Sequence, residues 1–396
     1  ALKTKVIVGG DTSNIKPFAD LTSSGKMVNA LKLIGFDKIY DTSFSADMTI
    51  MEEVHELLDR KINGGQLPLI TSCCPSWVKF AEQYYPELLP NLSSCKSPQQ
   101  MFGSMAKKFL PDMLEIDKKE LVVVSIMPCT AKKMEAKRPE FTNDDRAEVD
   151  HVITTGELAK MISNAGIRFN ELLPESFDMP FGFKTGGGIL FGNSGGVMEA
   201  ALRYAYEQIT GEVLLNSDFK IVRGEEGLRI VEVDLPESKL KVGVAHSLSN
   251  ARILCEQIKE GGSDIDFIEM MACPGGCVNG GGQPVSFDNN YKKKRTNSLY
   301  NCDKQLQLHK SQENPYVIDL YKNKIGEIGS ENAHQLLHTT YGSRKRIADI
   351  SLDVRNSTRT KVLPNPVEDN MLQIQFSENV KSFRIYDIQG KLLIEQ

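Results

Sequence analysis

The sequence predicts an α/β fold: two lobes of parallel β-sheet flanked by helices, with a metal site between the lobes, and a short β-rich tail at the C-terminus. Three observations lead there. Apolar runs of strand length alternate with helical patterns from residue 5 to residue 271. Cysteines stand directly after three of those runs, at Cys73–Cys74, Cys129 and Cys273–Cys277. Beyond Gly342 the texture changes to alternating apolar and polar residues. Strands that alternate with helices form parallel sheets covered on both faces. Such sheets present their ligands at the carboxyl ends of the strands.

Residues 1–64 read βαβα: a strand at Lys5–Val8, a helix over Gly25–Gly35, a strand at Lys38–Tyr40 and a long helix over Ala46–Ile62 that stops at Asn63-Gly64-Gly65. A strand at Leu67–Ile70 runs into Cys73 and Cys74, and Pro75 suits the first turn of the helix that follows, to about Tyr85. Leu121–Ile126 is an apolar strand followed at once by Met127-Pro128-Cys129-Thr130 and a helical run over Ala131–Lys137. Val149–Ile153 is a strand, and Thr154 with Glu157 three residues on makes a capping box for the next helix. Glycine punctuation at 186–188 and 192–196 precedes a helix over Val197–Ile209. Lys239–Ala245, Ser249–Ile258 and Ile265–Met271 then read strand, helix, strand. Lys292–Arg295 is a basic run that reads as a solvated loop. Helical stretches are expected around Pro315–Asn323 and Glu331–His338, and strands at Leu372–Phe376 and Phe383–Asp387. The chain divides as 1–285, 286–341 and 342–396.

At 396 residues the chain is long enough for a large core and two or three domains. A net charge of −5 leaves no nucleic-acid footprint. No apolar run reaches the ~18 residues of a membrane span, and no signal peptide is visible. The chain starts at Ala1, which leaves room for a leader or an upstream domain. Eight cysteines in a chain of this length, clustered in loops rich in glycine and proline, read as metal ligands in a reducing compartment.

The stretch from Ile268 to Pro284 carries two cysteines with three residues between them and five glycines. Glycine lets the main chain close around a bulky object. Two thiolates are half of a four-thiolate site, and Cys73–Cys74 and Cys129 can supply the rest. Zinc and iron–sulfur clusters both take such sites. Paired C-x2-C knuckles are absent, which favours iron–sulfur; buried structural cysteines are the plain alternative. Cys95, Cys255 and Cys302 lie outside any cluster motif and read as packed or free thiols. Glu53, Glu56 and Arg60 share one helix face by spacing, and Glu56–Arg60 alone is an i,i+4 pair worth ~0.3–0.5 kcal/mol.

Thr71–Trp77 (TSCCPSW), Met127–Glu135 (MPCTAKKME) and Glu269–Pro284 (EMMACPGGCVNGGGQP) resemble the three signature segments of the iron-only (FeFe) hydrogenases. The resemblance extends through Ala46–Glu53, Asn91–Gly103 and Gly195–Arg203, and Ser311–Tyr341 resembles the family's small-subunit segment. It implies an H-cluster, a 4Fe–4S cube joined to a diiron unit that carries CO, cyanide and a bridging dithiolate. Carried over residue by residue, the cube ligands are Cys74, Cys129, Cys273 and Cys277, with Cys277 as the bridge. Cys73 becomes the proton-delivering thiol. Lys132 pairs with a cyanide, Gln99, Ser97 and Pro98 line the diiron pocket, and Met127, Met271, Phe191 and Val197 form its wall. Phe191 and Val197 fit plain core packing equally well, and a surface lysine is the bland reading of Lys132. The resemblance also implies a proton relay of Cys73, Glu53, Ser93, Glu56 and Arg60.

The implied reaction is 2 H⁺ + 2 e⁻ ⇌ H₂, with ferredoxin or a similar carrier as electron partner and with maturation proteins to build the cofactor. Rival readings of the same fold are a sensor of H₂ or redox state and an iron–sulfur assembly protein without a diiron unit. Cys73 argues against the first, and Met127, Lys132, Gln99 and Met271 against the second. Two departures stand out. Ala1-Leu2-Lys3 occupies the place of a segment whose serine bonds the other cyanide in the family. No C-x2-C-x2-C-x3-C-P run is present, so electrons are expected from a docked partner or an upstream region. The tail from Leu363 to Leu392 resembles a type IX secretion sorting domain, with a bland β-hairpin as the alternative. The expected location is the cytoplasm, where such a cluster is built; the tail keeps export open.

Overall fold

The computed structural model describes residues 18–143, 146–236, 238–261 and 263–344, and the tail strands 361–363, 373–375, 384–386 and 392–395. The expected strand Lys5–Val8 and the departure at Ala1–Lys3 lie outside the described residues. The chain folds as two compact units, 1–344 and 345–396.

In chain order, helices α1 (Phe18–Ile34) and α2 (Ser43–Asn63) precede strand β1 (Leu69–Ile70). Helices α3 (Pro75–Tyr84) and α4 (Pro98–Leu114) lead to β2 (Val124–Met127) and the short α5 (Ala131–Glu135). The antiparallel pair β3 (Thr142–Asn143) and β4 (Arg146–Ala147) comes next, then β5 (His151–Thr154), α6 (Thr155–Asn164), α7 (Gly186–Leu190) and α8 (Gly196–Thr210). Strands β6 (Leu228–Leu235) and β7 (Ser238–His246), helix α9 (Leu248–Lys259) and strand β8 (Phe267–Met271) complete the sheets. Helices α10 (Tyr291–Gln305), α11 (Pro315–Leu320) and α12 (Glu331–Leu337) close the first unit. In the second unit, β9 (Lys361–Leu363) pairs antiparallel with β10 (Gln373–Gln375), and β11 (Arg384–Tyr386) with β12 (Leu392–Glu395).

One lobe is built on a four-stranded sheet ordered β1-β8-β7-β6, in which β1, β8 and β7 run parallel and β6 is an antiparallel edge. The other holds the parallel pair β2 and β5. Side chains of a strand point alternately to the two faces, and β8 uses both. Phe267 and Met271 pack with Leu69, Val242 and Val244 against the side chains of α2, α4 and α8. Ile268 and Met270 pack on the opposite face with Ile70, Ala245, Trp77, Leu254 and Cys255. A strand covered on both faces reads as an unbroken apolar run, which is why Ile265–Met271 was legible as one.

Helix starts follow local chemistry. Thr154 caps α6 in a capping box: its hydroxyl accepts from the Glu157 N–H at 3.2 Å, and Glu157 accepts from the Thr154 N–H at 2.8 Å. Ser97 caps α4 with Pro98 at its first turn. Gly64 ends α2 at φ 77°, a left-handed position that glycine takes without strain.

Four expectations are corrected. Lys38–Tyr40 is not a strand, because Ile39 ties both its N–H and its carbonyl to Asp178 instead of to a ladder. The strand expected over Leu121–Ile126 begins only at Val124. The antiparallel edge β6 was not foreseen and makes the larger sheet mixed. The basic run Lys292–Arg295 is the start of α10, not a loop. Arg295 is buried there and donates to the carbonyls of Val278 and Pro284, each at 3.0 Å.

Candidate metal centre

β1 and β8 are parallel neighbours, so the segments leaving their carboxyl ends start side by side. The Thr71 N–H donates to the Ile268 carbonyl at 2.9 Å, and the Met270 N–H to Thr71 Oγ1 at 3.1 Å. That pairing brings the Cys73–Cys74 segment against the Ala272–Cys277 segment, where the Ala272 N–H points at Cys74 Sγ, 3.4 Å away. Cys129 arrives from the other lobe, after β2. The glycine loop 280–282 makes the connection: the Gly282 N–H donates to the Pro128 carbonyl at 2.9 Å, and the Gly156 N–H to the Gly282 carbonyl at 2.9 Å. A Cβ on Gly280 would stand 2.1 Å from the Pro128 carbonyl oxygen, so that approach depends on glycine.

A cavity of about 920 Å³ opens at this junction. Cys73, Cys74, Cys129, Cys273 and Cys277 all line it, and it continues past them along Pro98, Gln99, Met127, Lys132, Phe191 and Met271. Burial pushes the Cys74 thiol up, and the charge of Cys129 adds to that. Cys273 is pushed up to about 11 by burial and by the neighbouring Cys74 and Cys129. Cys277 goes well above the ordinary value through burial and the charges of Cys129, Cys74 and Cys273. Cys74, Cys273 and Cys277, each made costly to ionise by burial, stand with Cys129 as a donor set that a cationic metal centre relieves. These residues fit an iron–sulfur group.

Lys132 sits beside the thiols, buried. Burial works against its charge, but Glu135 and then Cys129 outweigh it, and its pKa rises. Its ammonium donates to Glu135 at 2.9 Å and to the Cys73 carbonyl at 2.9 Å. Glu135 is held in turn by Ser97 Oγ at 2.9 Å and Gln99 Nε2 at 3.1 Å, and Gln99 accepts from Ser125 Oγ at 2.9 Å. The bland reading of Lys132 as a surface lysine does not hold.

Not every expected wall residue reaches the cavity. Ser97 does not line it, because its hydroxyl is engaged by Glu135 and by the cap of α4. Val197 is fully buried in the apolar core and also lies outside the lining. Of the two positions for which core packing was the alternative, Phe191 is in the lining and Val197 is not.

The candidate relay residues run outward from Cys73. Burial raises the Cys73 thiol well above its ordinary value, with Glu53 the next cause. Glu53 is pushed up to about 8 by burial and by the charge of Glu56. The Ser93 hydroxyl and the Ser72 N–H lie close enough to pull it partly back, yet neither makes a hydrogen bond of proper geometry, and both carboxylate oxygens are without a partner. Ser93 Oγ donates to Glu56 Oε2 at 3.0 Å, and Arg60 donates to Glu56 Oε1 at 2.6 Å. Arg60 also spans the carbonyls of Gln66, Pro90 and Leu92. Its side chain is 15% exposed, against 0% for Glu53, so the series leads from the cavity toward the surface.

Two site residues escaped the sequence reading. Glu135 anchors Lys132, and its signal was the i,i+3 spacing. Glu269 is a buried carboxylate in mid-strand, pushed up to about 7 by burial. It accepts from the N–H groups of Gly195 at 2.6 Å and Met198 at 2.8 Å, and so fixes the start of α8.

Comparison with known proteins agrees with this geometry. Residues 11–281 match the family described as iron only hydrogenase large subunit, C-terminal domain, and residues 289–344 match the iron hydrogenase small subunit. Residues 361–396 match a secretion system C-terminal sorting domain. The chain is 50% identical over 347 residues to the NADP-reducing hydrogenase subunit HndD of Solidesulfovibrio fructosivorans, covering 85% of this chain and 58% of the relative. It is 45% identical to iron hydrogenase 1 of Clostridium pasteurianum, covering 84% of this chain and 58% of the relative. It is also 32% identical to the cytosolic Fe-S cluster assembly factor narfl of Xenopus tropicalis, covering 81% of this chain and 70% of the relative. The chain thus spans less than two thirds of the two hydrogenase relatives. An apo FeFe-hydrogenase variant from Chlamydomonas reinhardtii superposes with a TM-score of 0.75 at 39% identity, over 86% of this chain and 92% of that one. With the family's sequence profile covering residues 11–281 and the cysteines of three strand ends gathered in one cavity, the chain belongs to the iron-only hydrogenase family.

Proposed function

We propose that this chain catalyses 2 H⁺ + 2 e⁻ ⇌ H₂ at an H-cluster. Cys74, Cys129, Cys273 and Cys277 would hold the 4Fe–4S cube, with Cys277 shared with the diiron unit. When bound, the group supplies the redox chemistry and the site where H₂ is made or split. One observation carries the reading: the cavity does not end at the four thiols but continues to Cys73, Gln99 and Lys132. A protein that held only a cube would have no use for a buried cation and a fifth thiol there. Lys132 offers a fixed ammonium to an anionic ligand, and Met127, Phe191 and Met271 give the cavity an apolar lining beside it.

The chain's own part in the reaction is to move protons. Cys73 Sγ holds the proton nearest the cavity. The Glu53 carboxylate, with its value near 8, takes and returns a proton around neutral pH. Ser93 Oγ passes it to Glu56 Oε2, and Arg60 holds that carboxylate at the surface end. Electrons would come from ferredoxin or a similar carrier, and maturation proteins would load the diiron unit. No described helix is long and apolar enough to cross a membrane. The sorting-domain match at 361–396 supports export over the cytoplasmic location expected from the cofactor chemistry.

The test is an infrared spectrum of protein matured without oxygen. Bands of iron-bound CO and cyanide, together with H₂ evolution, are expected. A cube visible by electron paramagnetic resonance without those bands, even after a synthetic diiron cofactor is added, would overturn the reading. That outcome would favour the assembly role carried by the name of the Xenopus relative.

A further inference from the structure

We propose that Glu56, Cys95 and His338 form a binding site for a thiophilic divalent cation, zinc above all, set against the proton path. Cys95 Sγ lies 4.0 Å from Glu56 Oε2 and 4.0 Å from His338 Nδ1. All three donor atoms fall within 4.8 Å of one another. Zinc holds sulfur at about 2.3 Å and nitrogen or oxygen at about 2.0 Å in a tetrahedron, which puts neighbouring donors about 3.5 Å apart. Closing this set takes about an ångström at Glu56, whose carboxylate must turn out of its bonds from Ser93, the Ser94 N–H and Arg60, and about half an ångström between the Cys95 and His338 side chains; the fourth position is left to water.

The surroundings of His338 are those of a metal ligand. Its Nε2 stands 3.1 Å from Glu52 Oε2, and Ser94 Oγ stands 2.8 Å from its Nδ1. Assigned from these contacts, Nε2 carries the proton and donates to Glu52, and Nδ1 accepts from the Ser94 hydroxyl, which a metal held beside Cys95 would displace. A carboxylate behind an imidazole fixes the tautomer and raises the basicity of the ligating nitrogen. Glu52 is fixed in its turn by the Tyr321 hydroxyl at 2.6 Å and the Gly329 N–H at 3.0 Å. The backbones are equally set. Cys95 and His338 face each other across an antiparallel bridge, closed by Lys96 N–H to the Leu337 carbonyl and Thr339 N–H to the Ser94 carbonyl, each at 2.8 Å. A ligand pair on paired backbone needs little reorganisation to bind.

The metal enters from the Glu56–Arg60 side, the exposed end of the series. As the zinc–sulfur bond forms, the Cys95 thiol releases its proton to the buffer, and a thiolate and a carboxylate then balance the dication. The consequence for turnover rests on the proton-path reading above. A bound cation takes Glu56 Oε2, the atom to which Ser93 donates, and so interrupts proton delivery while the cavity cysteines stay untouched.

The experiment uses the matured holoenzyme, with ZnCl₂ as the probe. Zinc retained after desalting is counted, its X-ray absorption spectrum is recorded, and turnover with zinc is divided by turnover without it. One zinc per chain is expected, with one sulfur at about 2.3 Å and lighter donors at about 2.0 Å, a turnover ratio well below one, and recovery on chelation. Cys95→Ala and His338→Gln should both lose the zinc and return the ratio to one, and Glu52→Gln should weaken binding about 10- to 100-fold. Zinc held equally by Cys95→Ala, or no sulfur in the zinc shell, would overturn the site. Zinc bound with the sulfur signature and an unchanged ratio would support the site and remove Glu56 from the proton path.

Discussion

The Lys132 ammonium lies 2.9 Å from the carbonyl oxygen of Cys73 and equally far from Glu135. One buried cation therefore ties α5 to the segment carrying the fifth thiol. Lys132→Met leaves Glu135 buried among the neutral donors Ser97 and Gln99. Breaking one side of a buried ion pair costs about 3–5 kcal/mol, so the urea midpoint should fall markedly. Lys132→Met with Glu135→Gln should recover part of that loss, because no unpaired charge remains. Infrared bands from cyanide should stay lost in both proteins, since neither offers the ammonium.

Glu53 predicts a pH dependence of stability. Its carboxyl is pushed up to about 8 in the fold, from an ordinary 4.5, by burial and by Glu56, with Glu269 adding to the repulsion. Between those values the native chain holds a proton that the unfolded chain has released. Stability from this group is therefore full below pH 4.5 and is lost as pH rises toward 8, with a slope of at most about 1.4 kcal/mol per pH unit. Glu53→Gln keeps the shape and removes the titration. Thermal unfolding of the two proteins at pH 5 to 9 checks this: the wild type should lose ground to the variant as pH rises. Parallel curves would mean that Glu53 is already ionised near neutral pH. Turnover of the variant should drop about 10²-fold or more, the usual worth of a positioned proton carrier.

How much of this was legible in the sequence depended on where the information is local. Cys74, Cys129, Cys273 and Cys277 stand directly after apolar strands, and strand ends of parallel sheets gather; both facts are visible in one dimension. Thr154 and Glu157 cap α6 through contacts three residues apart, so that helix start was legible too. Lys38–Tyr40 failed because Asp178, far along the chain, satisfies the backbone there. Ser97 and Val197 lie outside the lining because a residue carried over from a family resemblance is placed near the site without telling a cap or a core contact from a lining one. Arg295 failed because a run of basic residues looks solvated until the carbonyls of Val278 and Pro284 close on it.

Arg295 yields a prediction of its own. It is buried, and its guanidinium stands over the Tyr291 ring at 4.8 Å. Arg295→Met fills the space but leaves the carbonyls of Val278 and Pro284 without this donor, at about 1–3 kcal/mol each. The melting temperature should fall, while Lys293→Met on the exposed face of α10 should leave it in place. Because Val278 follows Cys277, iron content should fall with Arg295→Met as well.

The glycine loop gives the sharpest test of how the two lobes share the metal centre. At Gly280 a Cβ would meet the Pro128 carbonyl oxygen at 2.1 Å, whereas at Gly281 the nearest atom is Thr130 Oγ1 at 3.6 Å, an ordinary contact. Neither position has the left-handed backbone that only glycine tolerates. The two alanine variants therefore differ in one respect, the space between this loop and the segment carrying Cys129. Gly280→Ala must push Cys129 away from Cys273 and Cys277, and one ligand in the wrong place is enough to lose a four-cysteine cluster. Iron and sulfide analysis after anaerobic reconstitution should show a near-empty site in Gly280→Ala and a full one in Gly281→Ala. Equal loading of both would mean that Cys129 reaches the cluster without the close approach of Gly280 to Pro128.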